Sequence, residues 1–457
     1  MFAKVKIVAT LGPATNDKKS ISSLVEEGVN VFRLNFSYGT YEEHSKTIKL
    51  IREVSEEKNK PIGILQDICG PKIRIKGLKR PMEIKRGERI KLSKTPSENS
   101  FSLTYPSLID DLKINDEIYF SDGQVKTKVV KKMDDFVLLE VLTGGRLLEG
   151  KGINIPKGEI NLTALTEKDK KDIEFGAKIG VDFVAVSFVS RAEDIKEARE
   201  ILRKFDSKAW VIAKIERKNA VKEIDSIIDE SDGIMVARGD LGAEMGISKV
   251  PRLQKEIIRK CNLKAKPVIT ATQMLTSMVN SPYPTRAEVS DIANAILDGT
   301  DAVMLSDETA VGNYPKEAVG ILKETIFEIQ KCYPYHKDFT PSPREAFPYA
   351  AAELSKTLPC DFIASLTLSG YTLLHTSKFR PDKNIYAITP DPSLKFKTTL
   401  VWGVVNCIVM DEFYNEKELV EGFIKRSGLS PSSFLLVTGY LGEKISKGKS
   451  VRYIKVK

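Results

Sequence analysis

The stretch WVIAKIER, residues 210–217, has the composition of a buried parallel strand that ends in charge. Its apolar residues suit a strand interior, and Lys214 and Glu216 follow at the C-terminal end. Because side chains alternate across a strand, these two point the same way, with Ile215 opposite. The pair is either a solvated ion pair or a group that holds a phosphoryl group and its metal. The rest of the chain has to decide between these interpretations.

Strands of the same kind recur on both sides of this stretch, and a helix is predicted after each of them. Three precede residue 71, and five follow residue 166. Their predicted bounds are Lys4–Leu11, Asn30–Phe36, Pro61–Ile68, Asp182–Phe188, Trp210–Glu216, Gly233–Arg238, Lys266–Thr272 and Asp301–Ser306. Eight strand–helix units in succession predict a (β/α)8 TIM barrel, an architecture of the α/β class.

Two further regions interrupt or follow this pattern. Between residues 71 and 162 the segments are short and alternating, which predicts an all-β lid, shaped as a small barrel and inserted after strand three. After a proline-rich linker at residues 334–348, strands and helices predict a C-terminal domain with an open α/β sheet. We therefore expect a barrel over residues 1–70 and 163–332, a lid over 71–162, and an α/β domain over 333–457.

Composition excludes several classes of protein. The 457 residues include 71 Lys and Arg against 62 Asp and Glu, a net charge of +9 that is spread along the chain. A nucleic-acid-binding stripe is therefore not indicated, and no apolar run approaches the ~20 residues of a membrane span. Five scattered cysteines without a CxxC motif, and no signal peptide, predict a cytoplasmic protein. Three histidines argue against a multi-histidine metal site or a Ser-His-Asp triad.

Polar residues gather at the predicted C-terminal ends of six barrel strands, where the chemistry of such barrels takes place. A single polar strand end is explained by a structural ion pair or a helix cap. Six that converge on one mouth indicate a functional site. The residues are Arg33, Asn35, Ser37, Asp67, Lys214, Glu216, Arg238, Gly239, Asp240, Thr270, Thr272, Gln273, Ser306, Asp307 and Glu308, with Lys72 and Arg74 just beyond strand three.

The residue types indicate which reaction this site performs. Glu216 and Asp240 are hard oxygen ligands on neighbouring strands, and Mg²⁺ commonly takes one or two carboxylates. Three cations suit a substrate that carries carboxylate and phosphate, namely Arg33, Arg74 and Lys214. The glycine-containing segment 238–242 opens a helix and can present N–H groups to an anion. Together these features predict metal-assisted phosphoryl transfer.

The chain resembles the pyruvate kinase family over nearly its whole length. Among the members of that family, it resembles the K⁺-independent, archaeal-type enzymes. The matching segments occur in the family's order. They are TLGPAT (10–15), RLNFSYG (33–39), QDICGPKIR (66–74), KGINIP (151–156), AKIER (213–217), MVARGDLGAE (235–244), TATQML (270–275) and DGTDAVMLSDETAVGNYP (298–315). The family architecture of barrel, β lid and α/β effector domain agrees with the predicted elements.

This resemblance implies that the phosphoryl group of phosphoenolpyruvate passes to ADP, forming pyruvate and ATP, with Mg²⁺ as cofactor and Mn²⁺ as an alternative. The implied catalytic residues are Lys214, Arg33 and Thr272. Substrate binding is implied for Arg33, Lys214, Gly239, Asp240 and Thr272, and metal binding for Glu216 and Asp240. The implied nucleotide-binding residues are Arg74, Lys151, Asn35, Pro13 and Asp122, of which Lys151 and Asp122 lie on the lid.

One departure from the family concerns its monovalent-cation site. K⁺-dependent members read DTKGPEIR where this chain has DICGPKIR, so that Lys72 replaces the family glutamate and Cys69 replaces a lysine. Potential ligands remain in Asn35, Ser37, Asp67 and Ile68. A lysine ammonium can supply the charge that K⁺ otherwise provides, and members with lysine here tend not to need K⁺. We therefore expect a vestigial pocket and K⁺ independence; the alternative is that Lys72 merely points to solvent.

The C-terminal domain resembles the family's effector domain. The segment TLSGYT contains the residues of the implied phosphate-binding turn, namely Thr367, Ser369, Gly370, Tyr371 and Thr372. Three lysines of the following loop are available to the same ligand, namely Lys444, Lys447 and Lys449. Leu368 stands where sugar-bisphosphate-regulated members often carry lysine, which favours a nucleotide monophosphate or a monophosphorylated sugar. The alternative is an ordinary glycine turn beside a basic hairpin.

Two alternative functions remain at this point. One is another metal-dependent barrel enzyme acting on phosphoenolpyruvate or a keto acid, such as a carboxylase or a lyase; the lid and the segments TLGPAT and RLNFSYG argue against it. The other is a basic RNA-binding protein, although no nucleic-acid or membrane partner is expected. The resemblance also implies a homotetramer, because the family usually assembles in that way.

Overall fold

The computed structural model describes residues 2–71, 73–120, 123–155, 164–410, 415–439 and 448–456. Eight parallel strands form a closed barrel, which confirms the predicted fold. The strands are Lys6–Leu11, Val31–Asn35, Gly63–Asp67, Phe183–Val186, Trp210–Ile215, Gly233–Ala237, Val268–Ala271 and Ala302–Leu305. We number them one to eight in this order. Strand one pairs with both strand two and strand eight, so the sheet has no edge.

Helices surround the barrel, and the sequence pattern of Thr166 followed three residues later by Asp169 predicts a capping box at one of them. The Thr166 side chain and the Asp169 carboxylate form a capping box at the start of one of them. The sequence predicts one helix over residues 218–230, but the structure breaks it at Glu223. The main helices are Lys18–Glu27, Tyr41–Glu57, Glu167–Ile179, Ala192–Lys204, Lys218–Lys222, Ile224–Glu230, Arg238–Met245, Val250–Leu263, Arg286–Asp298, Asp307–Ala310 and Pro315–Gln330.

The lid leaves the barrel after strand three, as predicted. Among the described residues its longest strands form an open antiparallel sheet rather than the predicted small barrel. In spatial order these strands are Ile153–Asn154, Glu117–Phe120, Val125–Lys132, Phe136–Thr143 and Arg89–Ser93. Two short antiparallel pairs complete the lid, Met82–Ile84 with Gly145–Leu147 and Ile75–Lys76 with Ser102–Leu103. The short helix Leu108–Asp111 lies among them. Apolar side chains from these elements form a core separate from that of the barrel.

The C-terminal region is an open sheet of four parallel strands with an antiparallel strand at one edge. In spatial order the strands are Val404–Val409, Asn384–Thr389, Phe362–Leu366, Ser433–Thr438 and Ser450–Lys455. Its helices are Ala346–Thr357, Tyr371–Lys378, Pro392–Lys397 and Glu416–Ser427. The predicted linker is thus shorter than expected, because the first of these helices begins at Ala346. Within the described ranges no helix is long and apolar enough to cross a membrane.

The C-terminal region closes the end of the barrel opposite the lid. Leu400 is fully buried and belongs to the same apolar cluster as the barrel-interior residues Leu65 and Ile212. The Lys6 ammonium donates a hydrogen bond to the Val404 carbonyl. This face of the barrel is therefore occupied by packing, which leaves the C-terminal mouth as the open end.

Candidate active site

A cavity of about 140 Å³ lies at the C-terminal mouth of the barrel. The barrel places at this one position side chains that are far apart in the sequence, because parallel strands end at the same edge. Ten of the predicted site residues line it, namely Arg33, Asn35, Ser37, Asp67, Ile68, Arg74, Lys214, Glu216, Asp240 and Thr272. Cys69, Ser187 and Phe188 are also part of the lining. Five of the six predicted polar strand ends therefore meet at this cavity, whereas Ser306, Asp307 and Glu308 at the end of strand eight are not part of its lining.

Lys214 is at the centre of the charges around this cavity. Its Nζ lies 3.0 Å from Asp67 Oδ1 and 3.1 Å from Glu216 Oε1. It also donates a hydrogen bond of 2.7 Å to the Ser187 hydroxyl. Lys214 and Glu216 therefore do form an ion pair, but a buried one, since the Lys214 side chain is 11% exposed and that of Glu216 is 2% exposed.

Burial alone would lower the pKa of Lys214, but the carboxylates of Asp67 and Glu216 raise it above its ordinary value. The amine is consequently a fixed positive charge across the pH range in which enzymes work. Such a charge, held away from water at a known position, stabilises negative charge more strongly than a solvated one does.

Asp67 links Lys214 to the second cation of the site. Its Oδ2 lies 2.6 Å from Arg33 Nε, and Arg33 Nη1 donates to the Thr10 hydroxyl at 3.0 Å. Although burial opposes it, the pKa of Asp67 is lowered by Lys214 and Arg33. The carboxylate is thus permanently charged, and it fixes the direction of both cations at the cavity.

Glu216 and Asp240 form the negative side of the cavity. Burial raises the pKa of Glu216, and the Asp240 carboxylate raises it further, while Lys214 opposes the shift. Glu216 Oε2 is held by the Phe188 N–H at 2.7 Å. A buried carboxylate whose charge is opposed by burial and by a second carboxylate suits a divalent cation, whose charge would relieve the repulsion. Mg²⁺ is commonly bound by one or two carboxylates and retains waters and substrate oxygens as its other ligands.

Thr272 lies opposite these charges, just beyond strand seven. Its hydroxyl accepts a hydrogen bond of 2.9 Å from the Gly239 N–H. Its backbone φ is +68°, and that of Gln273 is +54°. Positive φ is unusual for a residue other than glycine and costs on the order of 1–3 kcal/mol. The Thr272 hydroxyl therefore faces the cavity from a strained turn that other groups have to stabilise.

The predicted nucleotide-binding residues are only partly brought together. Arg74 and Asn35 line the cavity, and Arg74 Nη1 donates to the Gly150 carbonyl of the lid at 3.0 Å. Lys151, next to Gly150, and Pro13, after strand one, are exposed and outside the lining. Asp122 lies outside the described residues. The Arg74–Gly150 contact nevertheless brings the Lys151 backbone close to this side of the site.

The four predicted ligands of a monovalent cation all line the cavity. Three of them already have partners within the chain. The Asn35 amide oxygen accepts from the Ser37 N–H at 3.1 Å, and the Ile68 carbonyl accepts from the Ser187 hydroxyl at 2.6 Å. Asp67 is paired with both cations described above. Lys72 lies outside the described residues.

The predicted effector turn lies at the start of the helix Tyr371–Lys378. The Thr367 hydroxyl accepts from the Gly370 N–H at 3.0 Å, and Gly370 has a φ of +91°, which favours glycine. The Lys449 ammonium lies 5.9 Å from the centre of the Tyr371 ring. Ser369 and Thr372 belong to the same turn, whereas Lys444 and Lys447 lie outside the described residues.

Ser187 is a site residue that the sequence analysis missed. It directly follows strand four, and its hydroxyl joins Lys214 to the Ile68 carbonyl and lies 3.3 Å from Asp67 Oδ1. The available signal was its position: a polar residue immediately after a buried strand, the same criterion that identified the other strand ends. Within the predicted strand Asp182–Phe188 the residues next to Ser187 are apolar, so the sequence pattern does not mark strand four as having a polar end.

Comparisons with known proteins agree on one family. The family model described as pyruvate kinase, barrel domain, matches residues 2–319, and that of the pyruvate kinase alpha/beta domain matches residues 345–439. Pyruvate kinase 2 of Synechocystis sp. is 43% identical over 425 residues, covering 89% of this chain and 71% of the relative. Pyruvate kinase of Thermotoga maritima is 38% identical over 462 residues, covering 99% of each. A crystal structure of a pyruvate kinase from Cryptosporidium parvum superposes with a TM-score of 0.92 at 33% identity, covering 99% of this chain and 96% of the other.

Proposed function

The chain belongs to the pyruvate kinase family, and we propose that the cavity around Lys214 is the site of its reaction. The enzyme transfers the phosphoryl group of phosphoenolpyruvate to ADP. The bond between phosphorus and the enol oxygen breaks, a bond to an oxygen of the ADP β-phosphate forms, and protonation of the enol at C3 gives pyruvate. The observation that carries the assignment is the buried Lys214–Asp67–Arg33 network beside two carboxylates.

Lys214 and Arg33 stabilise the phosphoryl group as it moves. In phosphoryl transfer the charge is spread over the phosphoryl oxygens, and catalysis consists mainly of positioning and charge neutralisation. Both cations are held by Asp67 before substrate arrives, so they need little reorganisation during the reaction. Their contacts with Asp67 support this role, since one carboxylate sets the separation of the two positive charges.

Glu216 and Asp240 hold Mg²⁺, with Mn²⁺ as a possible substitute. When bound, the cation would supply positive charge that neutralises charge on the substrate oxygens. The raised pKa of Glu216 supports this role, because burial and the neighbouring Asp240 carboxylate make the charged form costly without a cation. The Phe188 N–H, which is fixed to one Glu216 oxygen, leaves the other oxygen directed towards Lys214.

The substrate carboxylate binds at the N-terminus of the helix Arg238–Met245, through the backbone of Gly239 and Asp240 and the Thr272 hydroxyl. Helix N-termini favour anions because their N–H groups lack partners within the helix. Here the Gly239 N–H donates a hydrogen bond to the Thr272 hydroxyl, so the helix N-terminus and this hydroxyl are held together at the position of the carboxylate. The Thr272 hydroxyl also faces the region where the enol has to receive its proton.

ADP enters between the barrel and the lid. Asn35 contacts it from the barrel side, together with Pro13 of the turn after strand one, and Arg74, near the start of the lid, contacts it together with Lys151 and Asp122. The bond from Arg74 to the Gly150 carbonyl supports this arrangement, because it couples a phosphate-binding cation to the lid. Closure of the lid would also exclude water, which otherwise competes with ADP for the phosphoryl group.

The enzyme is expected to turn over without K⁺. Three of the four candidate ligands are engaged by chain partners at distances of 2.6–3.1 Å, and Lys72 supplies a positive charge in the same segment of sequence. Pyruvate release from phosphoenolpyruvate, ADP and Mg²⁺ should therefore proceed at a similar rate in K⁺ and in tetramethylammonium at equal ionic strength. The measurement is kcat and KM by a coupled assay in each salt.

The Lys72→Glu variant is the control for this experiment. It restores the family's usual residue, and we expect it to require K⁺ where the parent does not. Replacement of ADP by bicarbonate should abolish pyruvate formation in both proteins, because no carboxylation is involved. A large activation of the parent by K⁺ over tetramethylammonium would refute K⁺ independence without affecting the kinase assignment.

The C-terminal turn binds a phosphorylated effector. A nucleotide monophosphate or a monophosphorylated sugar fits better than a sugar bisphosphate, because Leu368, which is 44% exposed, brings no second cation. AMP, glucose 6-phosphate or ribose 5-phosphate is expected to shift the phosphoenolpyruvate saturation curve, and Thr367→Val to abolish that shift, since the hydroxyl that holds the Gly370 N–H is lost. The measurement is the half-saturating concentration of phosphoenolpyruvate with each compound.

Thr389→Val is the matched control for Thr367→Val. Thr389 ends the neighbouring strand, and its hydroxyl likewise accepts from a backbone N–H nearby, that of Asp391 at 3.1 Å. It should leave the effector's shift intact. If no compound of the panel moves the saturation curve of the parent protein, the effector proposal fails, whatever the variants do.

Three further features complete the proposal. The division into barrel (1–70 and 163–332), lid (71–162) and effector domain (333–457) follows from the element order, with the separate apolar core of the lid in support. A homotetramer follows from family membership. A cytoplasmic setting is supported by the five cysteines, all of which are free thiols.

A further inference from the structure

Arg238 begins the helix after strand six, and its side chain is buried beside the cavity instead of lining it. Its Nη2 donates to the backbone carbonyls of Thr272 at 2.7 Å and Gln273 at 3.1 Å. Its Nε lies 3.3 Å from the carbonyls of Ala271 and Thr272. One guanidinium therefore holds three successive carbonyl groups at the end of strand seven.

The guanidinium is itself anchored from the opposite side. Nη1 pairs with Asp291 on the helix Arg286–Asp298 at 2.6 Å and lies 3.4 Å from the Gln254 amide oxygen. An arginine fork is suited to this arrangement, because its donors lie in one rigid plane. The position of the strand-seven carbonyls is thus tied to two helices of the barrel wall.

These carbonyls need such an anchor because Thr272 and Gln273 both have positive φ. A β-branched residue in that region is a genuine outlier and persists only when surrounding groups enforce it. The Thr272 hydroxyl is held in turn by the N–H of Gly239, the residue that follows Arg238. The side chain of Arg238 therefore fixes the backbone of Thr272, and the N–H of the following residue, Gly239, fixes the Thr272 hydroxyl.

We propose that Arg238 is a positioning residue for the kinase reaction, which acts through Thr272 by holding its hydroxyl at the substrate. The inference rests on the role of Thr272 proposed above. A displacement of about 1 Å in a reacting group is enough to lower a rate on the order of a hundredfold. Loss of the three carbonyl contacts would allow Thr272 to relax from its strained conformation and turn its hydroxyl away.

A double-mutant cycle tests this inference in the full-length enzyme with Mg²⁺. Arg238→Met is expected to lower kcat on the order of a hundredfold, but to have little further effect in a Thr272→Ala background, because the group through which it acts is then absent. A second readout is the exchange of pyruvate methyl protons with D2O in the presence of ATP and Mg²⁺. That exchange should fall together with kcat in Arg238→Met.

Two further variants separate positioning from stability. Arg52→Met removes an arginine that likewise binds a carbonyl, that of Ile62, and an aspartate, Asp182, but at the opposite end of the barrel. We expect Arg52→Met to change kcat little. Its effect should be the same factor in the parent protein and in the Thr272→Ala background. If Arg238→Met does not fold, Asp291→Asn replaces it in the cycle, since it loosens the guanidinium without removing it.

The outcomes are distinguishable. Multiplicative effects of Arg238→Met and Thr272→Ala on kcat would overturn the inference, because Arg238 would then act independently of Thr272. Unchanged turnover in Thr272→Ala would overturn the proposed role of Thr272 and the inference together. If Thr272→Ala strongly lowers kcat and the effects of the two variants multiply, the site assignment stays intact and only the role of Arg238 is removed.

Discussion

Replacement of Lys214 by methionine is expected to lower kcat on the order of a thousandfold while phosphoenolpyruvate still binds. Removal of one preorganised charge from a transition state costs roughly this factor in other enzymes. Arg33 remains to bind the phosphate, so the ground-state affinity falls less than the rate. The measurement is kcat by steady-state assay, together with a direct binding titration of phosphoenolpyruvate in the presence of Mg²⁺.

The loss of Lys214 also alters the carboxylates around it. Asp67 keeps Arg33, but Glu216 loses the cation that opposes the rise of its pKa. We therefore expect Glu216 to take up a proton more readily, so that the residual activity of the variant falls at a higher pH than in the parent when the pH is lowered. Restoration of activity at raised Mg²⁺ concentration would be consistent with this competition.

Lys6→Met is the matched control. Lys6 is a buried lysine of the same barrel, at the opposite end of strand one, and its ammonium donates to the Val404 carbonyl. Its replacement should change stability but leave kcat close to that of the parent. Near-normal turnover in Lys214→Met, with binding intact, would contradict the assignment of the site.

The barrel could be predicted from the sequence because each strand is a short apolar run followed by a helix, and the count of eight such units permits one closed arrangement. The polar strand ends then predicted the composition of the site, since closure brings them to one mouth. Breaks within helices were harder to predict from the sequence. The turn at Glu223 separates Ala220 from Ile224 and Ile227, all three of which are buried, and neither proline nor glycine marks it.

The pairings within the site could not be predicted, because they depend on side-chain directions that closure sets. Asp67 was expected to be a potential cation ligand, whereas the structure pairs it with both Arg33 and Lys214. Arg238 was expected to line the polar mouth, whereas its side chain is buried and binds backbone carbonyls at the end of strand seven. Ser187 was missed altogether. Each of these contacts joins elements that are remote in sequence, and no local pattern records them.

The attachment of the C-terminal region to the barrel was equally inaccessible to sequence analysis, and Arg380 is one of the residues that form it. This residue is 2% exposed and lies at the face of the barrel opposite the lid. Its guanidinium donates to Asp301 at 2.8 Å and to the Gly299 carbonyl at 2.8 Å, and it lies 4.9 Å from the centre of the Trp402 ring. Asp301 in turn accepts from the Val268 N–H at 2.9 Å.

Arg380→Met is expected to lower the free energy of unfolding by about 3–5 kcal/mol, the usual cost of leaving one partner of a buried ion pair alone. Asp301, which is 4% exposed, would be left without its ionic partner in a buried site. The measurement is denaturant unfolding followed by fluorescence and circular dichroism. Lys18→Met, which removes an exposed ion pair to Glu57, should change the free energy of unfolding far less, because exposed ion pairs contribute little.

The double variant Arg380→Met with Asp301→Asn separates the unpaired charge from the lost packing. If the isolated carboxylate causes most of the loss, removal of its charge should recover part of the stability of Arg380→Met, because a neutral pair of similar volume avoids the desolvation of both ions. Because the ion pair joins two regions with their own apolar cores, the loss should fall on the C-terminal region first and split a single unfolding transition into two. One transition at the midpoint of the parent protein would show that Arg380 does not hold the two regions together.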